Sequence, residues 1–290
     1  MTMTRIDLHT HSTASDGTDT PLELIQKAAQ VHLAVVALTD HDTLDGLAPA
    51  QQEAERLGII FVRGCEISTA TPWGEAHFLG LWIPEDVQRT ARLEAALAEV
   101  REKRNARNFH IAEKLQALGF DVTYEAAAAL AGGRVVGRPH FAELLCRMGI
   151  VEDRREAFRR YLGKDGIAYV PRDLMSPEQA VHLLKEAGAL VSMAHPRLLH
   201  APVEELDRLV VQLKDVGLDA LEAYHSEHDA GDVRLCVELA TRHQLLVSGG
   251  SDYHGEAKPK IDLGRGKGGL RVGMNIYEEL MEYRLRQNKH

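Results

Sequence analysis

An α/β fold interrupted by a helical insertion is what this sequence predicts, and three observations predict it. Short apolar runs alternate with amphipathic stretches at both ends of the chain, the pattern of strand and helix in turn. Between about residues 88 and 165 that alternation stops and only helical periodicity remains. The apolar runs also end repeatedly in His, Asp or Glu, as they do in β/α barrels and open α/β sheets, whose functional groups gather beyond the strand ends. A β/α barrel takes about 250 residues, so a chain of 290 has room for one and some material over. The expected division is a barrel from 1–87 and 166–290, with 88–165 as a helical insertion that forms a substrate cap.

The elements follow in order. Ile6-Asp7-Leu8-His9-Thr10-His11-Ser12 reads as a strand, and because alternate residues share a face, His9 and His11 point the same way. Asp16 follows in a Ser15-Asp16-Gly17 turn that could return a carboxylate to the same place, and imidazole with carboxylate suits Zn, Mn or Fe better than Ca or bare Mg. Pro21 opens a helix carrying Leu22, Ile25, Ala28 and Ala29. The run Val35-Val36-Ala37-Leu38 then ends in Asp40-His41-Asp42, and a helix near 45–57 leads to Ile59-Ile60-Phe61-Val62 with Glu66 placed at its end. Glu75 to Leu81 reads as a strand with His77 near its start. Single histidines of this kind are commonly satisfied core residues; recurrence at successive strand ends is what marks a site.

In the insertion, Leu93, Leu97, Val100, Ile111, Leu115 and Leu118 form one long amphipathic stripe, continued by Arg104 and Arg107. An unpaired guanidinium on that face is costly. The two arginines therefore either pair with buried acids or face a cleft and take an anion, with Lys103 and Asn105 beside them, and the cleft is the favoured reading. Helices are expected over 123–131 and 139–149. The second starts at Gly137-Arg138-Pro139-His140, where proline fits the first helical position and a helix start flanked by Arg138 and His140 suits an anion.

Alternation resumes with a helix after Ser176-Pro177, the strand 189–193 ending in Ala194-His195-Pro196-Arg197, a helix over 203–216, the strand 220–224, a helix over 230–242, and the strand 245–249 ending in Gly250-Ser251-Asp252-Tyr253-His254. His225 and His228 lie in a polar loop where solvated histidines are usual, and 264–269 reads as a mobile loop. A net charge of −9 argues against gripping long nucleic acid through a basic surface, though local arginines can still hold a small anion. No apolar leader precedes the first strand and no stretch is long enough to span a bilayer, which reads as a cytoplasmic protein. Cys65, Cys146 and Cys236 are too scattered for a disulfide framework or zinc knuckle.

The set His9, His11, Asp16, His41, Glu66, His77, His195, Asp252 and His254 resembles the PHP (polymerase and histidinol phosphatase) metallophosphoesterases from residue 5 to about 255. Within that family it is most similar to the nucleotide phosphatase and short-RNA exonuclease branch, which has a helical insertion after the fourth strand and aspartate at the position of Asp16. The resemblance implies a distorted (β/α)7 barrel holding three divalent ions, usually Mn2+, with Zn2+ and Fe2+ as alternatives. It implies His9, His11, Glu66 and Asp252 on one ion, Asp16, His41 and His254 on a second, and Glu66, His77 and His195 on a third. A hydroxide bridging two ions would be the nucleophile, and the ions would neutralise phosphate oxygens. Asp40 and Asp42 would orient an imidazole or shuttle a proton. Arg104, Asn105, Arg107, Arg138, His140 and Arg197 are the expected substrate contacts.

The implied activity is removal of the 3′-phosphate from a nucleoside 3′,5′-bisphosphate. The alternatives are 5′→3′ exonuclease action on short 5′-phosphorylated oligonucleotides, histidinol-phosphate phosphatase, and a non-catalytic scaffold.

Overall fold

The computed structural model describes residues 4–132 and 135–287, so Met1 to Met3 of the N-terminal stretch lie outside the described residues. Two compact units are present, Met1–Leu97 with Leu174–His290, and Ala98–Asp173.

The larger unit is built on seven strands in the order of the sequence: β1 (Arg5–Asp7), β2 (Leu33–Leu38), β3 (Ile60–Thr71), β4 (Gly74–Leu81), β5 (Leu190–Ala194), β6 (Ala220–His225) and β7 (Leu246–Gly250). Helices α1 (Pro21–Gln30) and α2 (Leu47–Leu57) connect the first three. Thr20 caps α1 through a reciprocal bond with Glu23, and Pro21 sits in the first turn, where it has no amide to leave unpaired. Gly58, at φ +71°, ends α2 in the left-handed conformation that glycine adopts without strain. The α/β expectation is met by a nearly closed barrel. First and last strands meet where Gly249 O accepts the Leu8 amide, His9 O the Asp252 amide and Tyr253 O the His11 amide.

Strict alternation breaks at one place. β3 and β4 are joined by Pro72-Trp73 alone, and β4 runs antiparallel to both β3 and β5 while every other pairing is parallel. A two-residue link can only reverse the chain, since a parallel return needs a crossover of about a dozen residues or more. Reversal puts the start of β4, and His77 with it, at the same barrel end as the carboxyl ends of its neighbours.

Two further details differ from the sequence reading. The ladder of β1 stops at Asp7, and His9 to His11 continue as extended chain held by the bonds above and a bridge from Thr10 to Tyr253. Glu66 lies in the middle of the twelve-residue β3, because the hairpin with β4 extends that strand beyond the point where the barrel mouth begins.

The second unit carries most of α3 (Val87–Ala117), then α4 (Tyr124–Ala131), α5 (Arg138–Arg147) and α6 (Arg154–Ala157), around a core of Ile111, Leu115, Val122, Phe141, Leu145 and Leu162. The start of α3 belongs to the barrel unit because Leu93 and Leu97 join its core, so the units divide later than the residues 88 and 165 read from periodicity. The chain returns through α7 (Pro177–Glu186), α8 (Val203–Val216), α9 (Ala230–Arg242) and α10 (Met274–Gln287). Ile276, Tyr277 and Leu280 of α10 join the cluster formed by Ile6, Val35, Ala37, Leu79 and Leu190. Among the described residues no helix is long and apolar enough to cross a membrane.

Closure leaves no room at Gly250. A Cβ there would press into the backbone of His9, with His9 Cα only 2.8 Å away. Gly250→Ala is expected to destabilise the metal-free protein by about 2–3 kcal/mol, the cost of overpacking against rigid backbone. Urea unfolding measures it, and a loss near zero would mean that β1 and β7 separate freely.

Candidate metal centre

Six of the seven strands or their immediate extensions bring the sequence-read side chains to one end of the barrel. His9, His11 and Asp16 follow β1, His41 follows β2, Glu66 and His77 come from the β3–β4 hairpin, His195 follows β5, and Asp252 and His254 follow β7. Asp42, His195 and Asp252 have φ of +54°, +29° and +57°, a strained backbone for side chains of this kind and one that clusters at functional sites.

Glu66, 1% exposed, is the centre. Its Oε1 lies 2.9 Å from His77 Nδ1 and 3.1 Å from His195 Nε2. Its Oε2 lies 3.3 Å from His9 Nε2, 3.2 Å from His11 Nε2 and 3.1 Å from His41 Nδ1. Asp252 Oδ1 closes the first group at 3.6 Å from His9 Nε2 and 3.3 Å from His11 Nε2. A second group forms around Asp16, whose Oδ1 is 3.3 Å from His254 Nε2 and 3.9 Å from His11 Nδ1, and whose Oδ2 is 3.9 Å from His41 Nε2. The structure thus brings all nine sequence-read residues together. His41 stands between two groups, with one ring nitrogen toward Asp16 and the other toward Glu66.

The donor set fits divalent cations. His11 Nδ1, His41 Nδ1 and Glu66 Oε2 are buried and make no hydrogen bond among the described residues, although His41 and Glu66 approach to 3.1 Å. Unsatisfied lone pairs in a water-poor pocket are costly, and a cation removes the cost. Nitrogen and carboxylate oxygen in this mixture suit Mn, Fe or Zn.

Electrostatics agree. Burial alone would raise the Glu66 carboxyl, but His41, His9 and His77 hold it well below the usual range. Asp252 and Asp16 are lowered in the same way, against their burial, by His11 and His41 respectively among other partners. Burial opposes charge on His11 and His77, yet neighbouring carboxylates raise both to about 9. His41 and His195 go down, chiefly through burial.

A pH dependence follows. Raised imidazoles stabilise the metal-free fold below their ordinary value of 6.5, and that contribution is lost as pH climbs toward about 9. Metal ligation needs the same rings neutral, so metal affinity should rise over that window. Thermal unfolding in a chelator should show the midpoint falling from pH 6.5 to 9 while the gap to the Mn2+-loaded protein widens. A flat metal-free profile would exclude the proposed charge pairs.

Sequence reasoning missed the residues that stand behind this cluster. Glu222, fully buried in β6, lies 3.0 and 3.2 Å from His9 Nδ1 and accepts the His195 amide at 2.8 Å. An acid inside the otherwise apolar run Ala220-Leu221-Glu222-Ala223 was the available signal. His225 is the buried end of β6 rather than a solvated loop residue, and its Nε2 lies 3.4 Å from Asp252 Oδ2. Asp40, expected to orient an imidazole or carry a proton, instead accepts the Ser12 amide and the Ser12 and Ser15 hydroxyls, which fix the loop leading to Asp16. Asp42 is buried, with its Oδ1 3.4 Å from the Ser68 amide. The segment 264–269 is anchored, since Asp7 Oδ2 accepts the Gly264 amide.

The expected substrate residues are more dispersed. Arg197, in the turn after His195, donates to Asp232 at 3.0 Å. Within the helical unit Arg107 is buried, Arg104 half-buried and Asn105 exposed, while Lys103 pairs with Glu99 and Asp173. Arg138 donates to Leu162 O and stacks over Phe158 and Tyr169, and His140 Nδ1 accepts the Gly137 amide, so both have structural tasks at the start of α5.

Residues 7–146 match the model of the PHP domain. Over 261 residues the chain is 36% identical to the 5′-3′ exoribonuclease Rnm of Escherichia coli strain K12, covering 89% of this chain and 88% of the relative. The chain belongs to the PHP-domain family. This PHP protein is also 36% identical to the 3′,5′-nucleoside bisphosphate phosphatase of Chromobacterium violaceum over 265 residues, 90% of this chain and 91% of that one. A crystal structure from Bifidobacterium adolescentis, provisionally described as a metal-dependent phosphoesterase, superposes with a TM-score of 0.79 at 29% identity and covers 95% of both chains. The PHP protein is accordingly a hydrolase of the metal-dependent phosphoesterase class, and its His/Asp/Glu cluster is of a kind that could hold a divalent metal.

Proposed function

We propose that this enzyme removes the 3′-phosphate from nucleoside 3′,5′-bisphosphates, and that its nine cluster residues hold three divalent ions, Mn2+ foremost. The observation that carries the reading is Glu66, whose two buried oxygens each face a different set of imidazoles, an arrangement suited to sharing one carboxylate between ions. His9, His11 and Asp252 would share the first ion with Glu66, Asp16, His41 and His254 would hold the second, and His77 and His195 would hold the third with Glu66. When bound, such ions supply a water-derived nucleophile near neutral pH and neutralise phosphoryl oxygens.

The chain's own contribution is orientation. Glu222 fixes His9 and the His195 backbone, and Asp40 fixes the turn that presents Asp16, so the ligand atoms are held before substrate arrives. Arg104, Asn105 and Arg107 are proposed to take the phosphate that is not cleaved, through the bidentate geometry guanidinium offers to phosphate. Binding energy at a remote phosphate then serves to align the reacting one.

A second reading, 5′→3′ exonuclease action on short 5′-phosphorylated RNA, is favoured by the name of the Escherichia coli relative. Attack at the 3′ phosphorus serves both substrates. The test is turnover by the Mn2+-loaded enzyme of adenosine 3′,5′-bisphosphate, AMP, adenosine 3′-phosphate, histidinol phosphate and a 5′-phosphorylated trinucleotide, with products separated by chromatography. The expected result is AMP and phosphate from the bisphosphate, with poor turnover of both monophosphates. Adenosine 3′-phosphate as main product, or equal rates on bisphosphate and plain monophosphates, overturns the assignment.

A further inference from the structure

After His254 the chain turns sharply through Gly255, at φ +64°, into a short turn over Gly255–Ala257. Thr18 pins this turn to the loop that carries Asp16, accepting the Glu256 amide on Oγ1 at 2.8 Å while its own amide donates to His254 O at 3.0 Å. The next side chain, Lys258, is thereby brought back over the cluster. Its Nζ donates to Asp252 Oδ2 at 2.6 Å, the oxygen turned away from His9 and His11.

An ammonium has three N–H donors. Asp252 is the only hydrogen-bond acceptor of Lys258 among the described residues, and its side chain remains 40% exposed, so two donors are left on the open side of the site. The lysine is not the only polar group beside Asp252, since His225 Nε2 lies 3.4 Å from the same oxygen while its Nδ1 accepts the Glu227 amide. A charged, partly open lysine anchored beside a ligand carboxylate has the chemistry of an anion contact.

We propose that Lys258 is a phosphoryl-binding residue of this enzyme, its ammonium resting on Asp252 and taking a non-bridging oxygen of the phosphate presented to the cluster. The inference rests on the phosphoesterase reading but not on which nucleotide is cut. No proton is exchanged; the fixed positive charge stabilises phosphoryl oxygens as the ester bond breaks.

The experiment compares Lys258→Met and Lys258→Arg with the parent enzyme, all loaded with Mn2+. Bound metal is measured by mass spectrometry, inorganic phosphate binding by calorimetry, and kcat and KM separately on the best substrate. Lys258→Met should keep its metal and its unfolding midpoint, bind phosphate at least about tenfold more weakly and lose about a hundredfold in kcat/KM, with partial recovery in Lys258→Arg. Loss of metal with phosphate affinity unchanged would overturn the proposal and make Lys258 a support for Asp252 alone. Unchanged phosphate binding with full metal would overturn it equally. Lysine-dependent phosphate binding in an enzyme that leaves bisphosphates intact would sink the substrate assignment only.

Discussion

Glu66→Gln should abolish turnover and strip metal together. The substitution preserves side-chain volume but removes the charge that faces His9, His11 and His41 on one side and His77 and His195 on the other. A ligand used by a single ion can be lost with the others still seated, whereas loss of a shared carboxylate weakens two positions at once. The expected fall in kcat/KM is more than about a thousandfold, well beyond the 10–100-fold that loss of an outer partner costs. Metal content and rate must be measured on the same preparation. A full metal complement with near-normal turnover would show that Glu66 is not shared.

Glu222→Ala should act on the same centre from behind. Its carboxylate lies against His9 Nδ1, on the ring edge opposite the Nε2 that faces Glu66 and Asp252, and it also accepts the backbone amide of His195, a residue in strained conformation. Burial works against its charge, but His9, His225 and His195 keep the carboxyl below its usual range, so it is an anion that neighbouring rings depend on. Removing it should raise the Mn2+ concentration needed for half-maximal activity by about 10–100-fold, with most of the rate recovered at saturating metal. Wild-type metal dependence in the variant would mean that His9 needs no fixed partner.

Most of the nine clustered residues were legible in the sequence because they are polar residues at or just past the end of an apolar run, a local signal repeated along the chain, whereas Asp16 was read from its turn. Their supports were not. Asp40 looked like a partner for His41 because the two are adjacent, yet its acceptors are spent on Ser12 and Ser15, residues brought close only by the pairing of β1 with β2. Lys258 reaches Asp252 through a turn whose course depends on Thr18, far away in sequence. The direction of β4 was open to inference from the two-residue Pro72-Trp73 link, but alternating hydrophobicity is the same for a strand read either way. The helix start flanked by Arg138 and His140 was read as an anion site because such a start has unsatisfied amides; in the structure His140 Nδ1 accepts the Gly137 amide and Arg138 stacks on Phe158 and Tyr169.

The seam between first and last strands bears on how the protein is made. His9 and His11 leave the ribosome early, whereas Asp252 and His254, which complete their groups, lie beyond β7. At synthesis rates of about 5–20 residues per second, roughly 12–50 s separate the synthesis of His9 from that of His254. The groups that include Asp252 and His254 can therefore be complete only after β7 is made, whereas Glu66, His77 and His195 all precede it.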